Sequence, residues 1–193
     1  MADEFWKDLS DRYSKEDWVK MPSIFAQQIR EYLKDYSEML ELGCGQGQDG
    51  LWFAEDRIGV LATDLEESAL ENARNRKAEL AIESIEFEKL DLARPFRYQD
   101  EVFDVVYAHL ALHYFDQATT EQIFSEIYRV LKPDGILAFL VNSVNDPEYN
   151  TGTKLEEDYF ETEGTRKRYF SERTAREFAK GFDVIICDEN GET

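Results

Sequence analysis

Glu41-Leu42-Gly43-Cys44-Gly45-Gln46-Gly47 decides how this chain is read. It follows a short apolar run, Met39-Leu40-Glu41-Leu42, and precedes Asp49 to Glu55, which opens as a helix. Glycines between a strand and a helix let the backbone turn tightly and approach a ligand closely. In an open parallel sheet, ligands lie beyond the carboxyl ends of the strands, where the strand order reverses. The loop therefore sits where a nucleotide-like cofactor binds. A dinucleotide fingerprint, G-x-G-x-x-G, needs a glycine where Gln48 stands, and the lysine of a P-loop is missing as well.

Outward from the loop, helices and strands alternate. Pro22 and Ser23 open a helix, Ile24 to Tyr36, with Ile24, Ile29 and Leu33 available for a buried stripe. Ile58 to Thr63 is a second strand, closed by Asp64, and Glu66 to Ala81 a helix. Its acids fall in the first turn and Arg74, Arg76 and Lys77 later, which suits the helix dipole. Ile85 to Leu90 is a third strand. Phe103 to Ala108 is a fourth, nearly all apolar as a strand buried on both faces should be. Thr119 to Leu131 reads as a helix, Lys132-Pro133-Asp134-Gly135 as a turn, and Ile136 to Val141 as a fifth strand. Residues 143–170 are polar and read as an insertion without clear structure, on the acceptor side. Ser171 caps a helix to about Lys180, and Phe182 to Cys187 is a sixth strand. This pattern predicts one α/β domain over 1–193, a Rossmann-like three-layer sandwich with a mostly parallel sheet.

The glycine loop, with its leading acid, resembles the first motif of the class I S-adenosylmethionine-dependent methyltransferases. The rest of the chain follows the order of that family. The resemblance implies that Asp64, with Leu65 after it, holds both ribose hydroxyls. It implies that Asp91 in Leu90-Asp91-Leu92 holds the adenine amino group. Phe103-Asp104-Val105-Val106-Tyr107-Ala108 resembles the fourth-strand motif, and Arg129 to Leu137 the turn into strand five. The cofactor set it implies is Glu41, Gly43, Cys44, Gly45, Gly47, Asp64, Leu65, Asp91, Leu92, Ala108 and His109. Glu41 is either a partner of the methionine amino group or a brace beneath the loop. Methyl transfer from a sulfonium is an in-line displacement, so the protein mainly positions the reactants and excludes water.

The acceptor side is less legible. His109-Leu110-Ala111-Leu112-His113-Tyr114-Phe115 follows the fourth strand. It lacks the Asn/Asp-Pro-Pro-aromatic motif carried by methyltransferases of exocyclic base amines. His113 is a candidate general base. A His109/His113 metal pair lacks a third ligand by motif, so no metal is expected. Tyr13 and Trp18 are read as an N-terminal lid over residues 1–22, and Tyr149 and Tyr169 as walls of the acceptor pocket. Arg166-Lys167-Arg168 either attracts an anionic acceptor or neutralises nearby acids such as Glu156, Glu157 and Asp158.

Bulk properties bound the rest. Forty-two acidic against 22 basic side chains give a formal charge of −20, a field that repels phosphate backbones and anionic membranes. Neither a nucleic-acid nor a membrane partner is expected. Two cysteines, Cys44 and Cys187, fit a reducing cytoplasm. The family sheet has seven strands. Here Asp188-Glu189-Asn190-Gly191 reads as a hairpin turn with no returning strand after it, so a homodimer through the incomplete edge is an expectation. The function expected is methyl transfer from S-adenosylmethionine to a small molecule. The alternatives are a cofactor-binding module without turnover and a nicotinamide-dependent oxidoreductase, which Gln48 disfavours.

Overall fold

The computed structural model describes residues 21–191. Five strands form the central sheet: β1 (Glu38–Leu42), β2 (Gly59–Asp64), β3 (Ile85–Lys89), β4 (Phe103–His109) and β5 (Leu131–Leu140). All neighbours are parallel, in the order β3-β2-β1-β4-β5. The order reverses between β1 and β4, so the glycine loop after β1 opens at the switch point where such sheets bind ligands.

Alternation along each strand assigns the two faces. Met39, Val60, Val105 and Tyr107 pack on one face with α1 (Ile24–Ile29), α2 (Gln48–Glu55) and α3 (Glu67–Leu80). Leu40, Leu42, Val106 and Ala108 pack on the other with α4 (Gln117–Val130), while α5 (Glu172–Phe178) adds Phe178. Each fully buried aliphatic side chain contributes roughly 1.5–3 kcal/mol. Together these layers make the expected three-layer sandwich. The same alternation turns Glu41, Asp64 and His109 toward the α2 face, in step with Met39, Ala62 and Tyr107. At the opposite end of the sheet, Asp104 accepts the Glu38 N–H (2.8 Å) and the Lys132 ammonium (2.9 Å), tying β1, β4 and β5 together.

The structure corrects four sequence readings. The first helix stops at Ile29; Arg30–Tyr32 is a 3-10 turn and Leu33 is extended. Arg30 draws this segment round by donating to the Leu33 carbonyl, Asp35 and Asp56, and Tyr36 turns the chain with a φ of 65°. The Lys132–Gly135 turn lies inside β5 as a bulge, because Leu131 pairs with Phe103 whereas Ile136 pairs with Val105. Residues 143–170 are not structureless. They hold an antiparallel three-stranded sheet, β6 (Thr153–Glu156), β7 (Tyr159–Thr162) and β8 (Thr165–Arg168). Finally, Phe182 to Cys187 is not a strand: no neighbour pairs with it among the described residues, and Ile185 is 74% exposed.

Candidate active site

The glycine loop is built by left-handed backbone. Gly43, Gly45 and Gly47 take φ of 71°, 52° and 72°. Gly43 also lies close against Ala111, since a Cβ there would come 2.4 Å from the Ala111 Cβ. Among the described residues, a Cβ on Gly45 would meet nothing within 4 Å. The Cys44 N–H donates to the Thr63 carbonyl (2.8 Å), which docks the loop on β2. The Cys44 side chain is buried, and burial pushes its thiol up, which unfits it as a nucleophile.

Asp64 ends β2 and reaches across to the loop. Its carboxylate accepts the Gly45 N–H (2.8 Å) and the Glu66 N–H (2.9 Å). Burial raises its pKa against these hydrogen bonds. A carboxylate has about four lone-pair sites, so these contacts leave capacity for hydroxyl donors. Asp91 lies just beyond β3, accepts the Ala93 N–H (3.0 Å) and has Arg94 at 3.6 Å. Leu92 beside it is buried in the α4-side core.

Glu41 is buried, and its carboxylate accepts the Gly50 N–H. Gly50 is in the first turn of α2, where backbone donors lack helical partners, so Glu41 caps that helix from the strand. The fit is close: a Cβ on Gly50 would stand 2.2 Å from Glu41 Oε2. That oxygen is buried without a partner among the described residues. Burial, then Asp49 and Asp64, raise the Glu41 pKa well above the ordinary carboxylate range.

Asp49 was read from the sequence only as the start of a helix, yet it organises this face. It is 2% exposed. Its Oδ1 accepts the Ser23 N–H (2.7 Å), and its Oδ2 accepts the Ser23 hydroxyl (2.8 Å) and the Tyr107 hydroxyl (2.6 Å). Ser23 is also the N-cap of α1, accepting the Ala26 N–H at 2.9 Å. One carboxylate thus ties α1, α2 and β4 together. Burial and the neighbouring Asp49 hold the Tyr107 phenol far above its ordinary pKa, so it remains a donor. The signal open to sequence reading was an acid in the first turn after the glycine loop and a tyrosine in an otherwise apolar strand.

Ala108 and His109 end β4. His113 falls in a 3-10 turn, Leu112–Tyr114, with its ring 4.1 Å from that of Tyr114. It is buried, its Nδ1 has no partner among the described residues, and burial lowers its pKa to about 3, helped by Lys167 and His109. It is therefore neutral at ordinary pH. Among the described residues, no group of three His, Cys, Asp or Glu is placed to hold a metal.

The small sheet docks beside this turn. Tyr159 donates to the Tyr114 carbonyl (3.3 Å), and Arg168 Nε to the Phe115 carbonyl (3.2 Å). Tyr149 and Tyr169 pack edge-on to each other and to Phe160, and Tyr149 donates to Asp158 at 2.7 Å. The structure brings these two tyrosines, from the segments just before and just after the small sheet, together against Phe160 of β7. Arg166, Lys167 and Arg168 pair with Glu161, Glu148 and Glu156, so the cluster neutralises neighbouring acids. Tyr13 and Trp18 lie outside the described residues.

Comparison with known proteins places this geometry. The family description "Methyltransferase domain" matches residues 39–135, half of the chain, from β1 into the β5 bulge. A malonyl-[acyl-carrier protein] O-methyltransferase of Enterobacter lignolyticus is 28% identical over 127 residues, 66% of this chain and 47% of that protein. The mouse mitochondrial protein named arginine-hydroxylase NDUFAF5 is 29% identical over 125 residues, 63% of this chain and 34% of that one. The chain therefore spans less than half the length of these relatives. The solved structure of a SAM-dependent methyltransferase from Methanosarcina mazei superposes with a TM-score of 0.70 at 23% identity, covering 78% of this chain and 81% of that one. That last likeness speaks to fold alone. Taken with the glycine loop at the switch point and the carboxylates around it, the match over residues 39–135 settles the assignment: the chain belongs to the class I S-adenosylmethionine-dependent methyltransferase family.

Proposed function

We propose that this chain binds S-adenosylmethionine and transfers its methyl group to a small-molecule acceptor. One observation carries the reading. Three carboxylates, Glu41, Asp49 and Asp64, gather behind an open glycine loop. No lysine or arginine among the described residues is bonded to any of them. Buried acids that have no Lys or Arg partner among the described residues favour a cation brought by a ligand. A cofactor with an ammonium and a sulfonium supplies it, whereas a pyrophosphate adds to the repulsion. Among the described residues, the unpartnered Glu41 Oε2 and the space beside Gly45 fit the same group.

In this reading the loop from Gly43 to Gly47 holds the methionine end by its backbone. Asp64 takes the ribose hydroxyls, Asp91 and Leu92 the adenine, and Ala108 and His109 border the reacting end. When bound, the cofactor supplies an activated methyl carbon on a sulfonium leaving group. The chain contributes positioning and exclusion of water. Glu41 acts on the loop by holding the first turn of α2, and Asp49 by fixing α1 against β4. A co-crystal structure with the demethylated product S-adenosylhomocysteine tests the placement. Density over Gly43–Gly47 with the ribose on Asp64 is expected, and density elsewhere refutes it.

A second reading is a cofactor-binding domain that does not methylate. It is favoured by one finding, that a relative carrying this domain bears the name of a hydroxylase. Cofactor binding without transfer of a labelled methyl group to a broad acceptor panel would select it.

A further inference from the structure

Glu41 stands on β1 opposite Ala62 of β2 and Tyr107 of β4 in the sheet register. It is 3% exposed. The titratable groups facing it are Asp49 from α2, Asp64 from β2, Cys44 from the glycine loop and Tyr107 from β4. None of them is a cation. Arg74 of α3, whose field reaches Cys44, is bonded to Glu67 and to the Phe87 carbonyl. The three acids differ in their donors. Asp49 accepts three hydrogen bonds, two of them from hydroxyls. Asp64 accepts the Gly45 and Glu66 N–H groups and is partly exposed. Glu41 has the Gly50 N–H, and its Oε2 is buried with no partner among the described residues. Like charges gathered out of water favour uptake of a proton, and donors to a carboxylate oppose it. The proton therefore rests on the acid with the fewest donors, Glu41. Burial, then Asp49 and Asp64, push its pKa in that same direction.

We propose that Glu41 is a specificity-determining residue for a cationic ligand: neutral in the free chain, it loses its proton as a ligand ammonium or sulfonium enters at the glycine loop and regains it as that ligand leaves. This rests on the cofactor reading. The Glu41 O–H bond breaks, its electron pair stays on the carboxylate, and the proton passes to solvent. One positive charge thus leaves the cluster as another arrives. A nucleoside that brings no cation leaves the proton in place and gains nothing from Glu41. Removing the proton costs less as pH rises toward the raised value of the free chain, so affinity for the cationic ligand rises with pH over that window.

Calorimetric titration of the full chain in PIPES and in imidazole buffers tests this, because the difference in heat counts the protons released. The working range is about pH 6–7, where an α-amino group stays protonated. S-Adenosylhomocysteine, which carries the ammonium, should release most of a proton per site. Its affinity should rise by up to about tenfold per pH unit, the linkage of one proton. Methylthioadenosine, the same nucleoside without the amino acid, should release none. Glu41→Gln keeps an acceptor for the Gly50 N–H and cannot ionise, so it should bind S-adenosylhomocysteine with neither the release nor the pH slope. In the parent, the infrared carbonyl band of a neutral buried carboxyl should vanish on saturation, which decides the matter even if the variant does not fold. Binding without proton release, or equal release with methylthioadenosine or in folded Glu41→Gln, overturns this inference and leaves the cofactor reading standing. No heat of binding with S-adenosylhomocysteine in either buffer removes both.

Discussion

Replacing Asp49 by Asn is the perturbation that bears most directly on how the site is held. The Asp49 carboxylate accepts three hydrogen bonds, at 2.7, 2.8 and 2.6 Å. Each bond to a charged acceptor contributes about 1.5–3 kcal/mol net. Asn keeps one acceptor oxygen and turns an NH2 toward donors, so one or two of the three are lost. Removing a buried charge returns part of that, leaving a net loss of about 2–4 kcal/mol. In a domain of this size, 1 kcal/mol moves Tm by about 2–4 °C, so a fall of about 5–15 °C is expected. Tyr107→Phe removes one donor and should cost about 1–2 kcal/mol. Because the two groups share one bond, the double variant should fall short of additivity by about 1 kcal/mol or more. Thermal and urea unfolding measure all three proteins. Asp49→Asn within 1 kcal/mol of the parent, or full additivity with Tyr107→Phe, would refute the role given to this carboxylate.

Three further outcomes follow from the same geometry. Glu41 has a raised pKa in the folded chain, so above its ordinary value of 4.5 the folded protein keeps a proton that the unfolded chain releases. Stability therefore falls as pH rises through that window. Glu41→Gln should flatten this dependence and match or exceed the parent's stability at pH 7; an unchanged slope in pH-resolved unfolding would contradict it. Gly45→Ala puts a side chain at a φ of 52° and into open space, so it should cost about 1–2 kcal/mol of stability yet weaken cofactor binding at least about tenfold. Calorimetry showing unchanged affinity would place the cofactor elsewhere. Arg168 is buried, donates to Glu156 and to the Phe115 and Glu157 carbonyls, and has Tyr159 and Phe178 rings 5.1 and 5.7 Å from its guanidinium. Arg168→Ala should destabilise by about 3–5 kcal/mol and loosen β6–β8, read as lost amide protection there.

The parallel sheet was legible because its strands are buried on both faces and separated by helices, so apolar runs and glycine punctuation mark them locally. The loop and Asp64 at the end of β2 were legible for the same reason, whereas Asp91, read as the end of the third strand, lies two residues beyond β3. The Asp49 network was not: it joins residues 26, 58 and 84 positions apart, and no local pattern announces such contacts. The small sheet was missed because its strands are four residues long and charged. Its signal was Glu163-Gly164, both at positive φ, which closes the β7–β8 hairpin as a two-residue turn. Val184-Ile185-Ile186 shows the converse error. A β-branched run has the propensity of a strand, but pairing is tertiary, and no strand among the described residues pairs with it, although β5 is an edge of the central sheet.

The central claim is that the Glu41–Gly47 loop and Asp64 form a binding site for S-adenosylmethionine. Calorimetric titration with S-adenosylhomocysteine, on the parent and on Asp64→Ala with its folding checked by thermal melt, tests it most directly. Micromolar-range binding by the parent is expected. The variant should bind about 30–100-fold more weakly, the loss of about 2–3 kcal/mol that goes with charged hydrogen bonds to two hydroxyls. No heat of binding in the parent, or equal affinity in a folded Asp64→Ala, would contradict it.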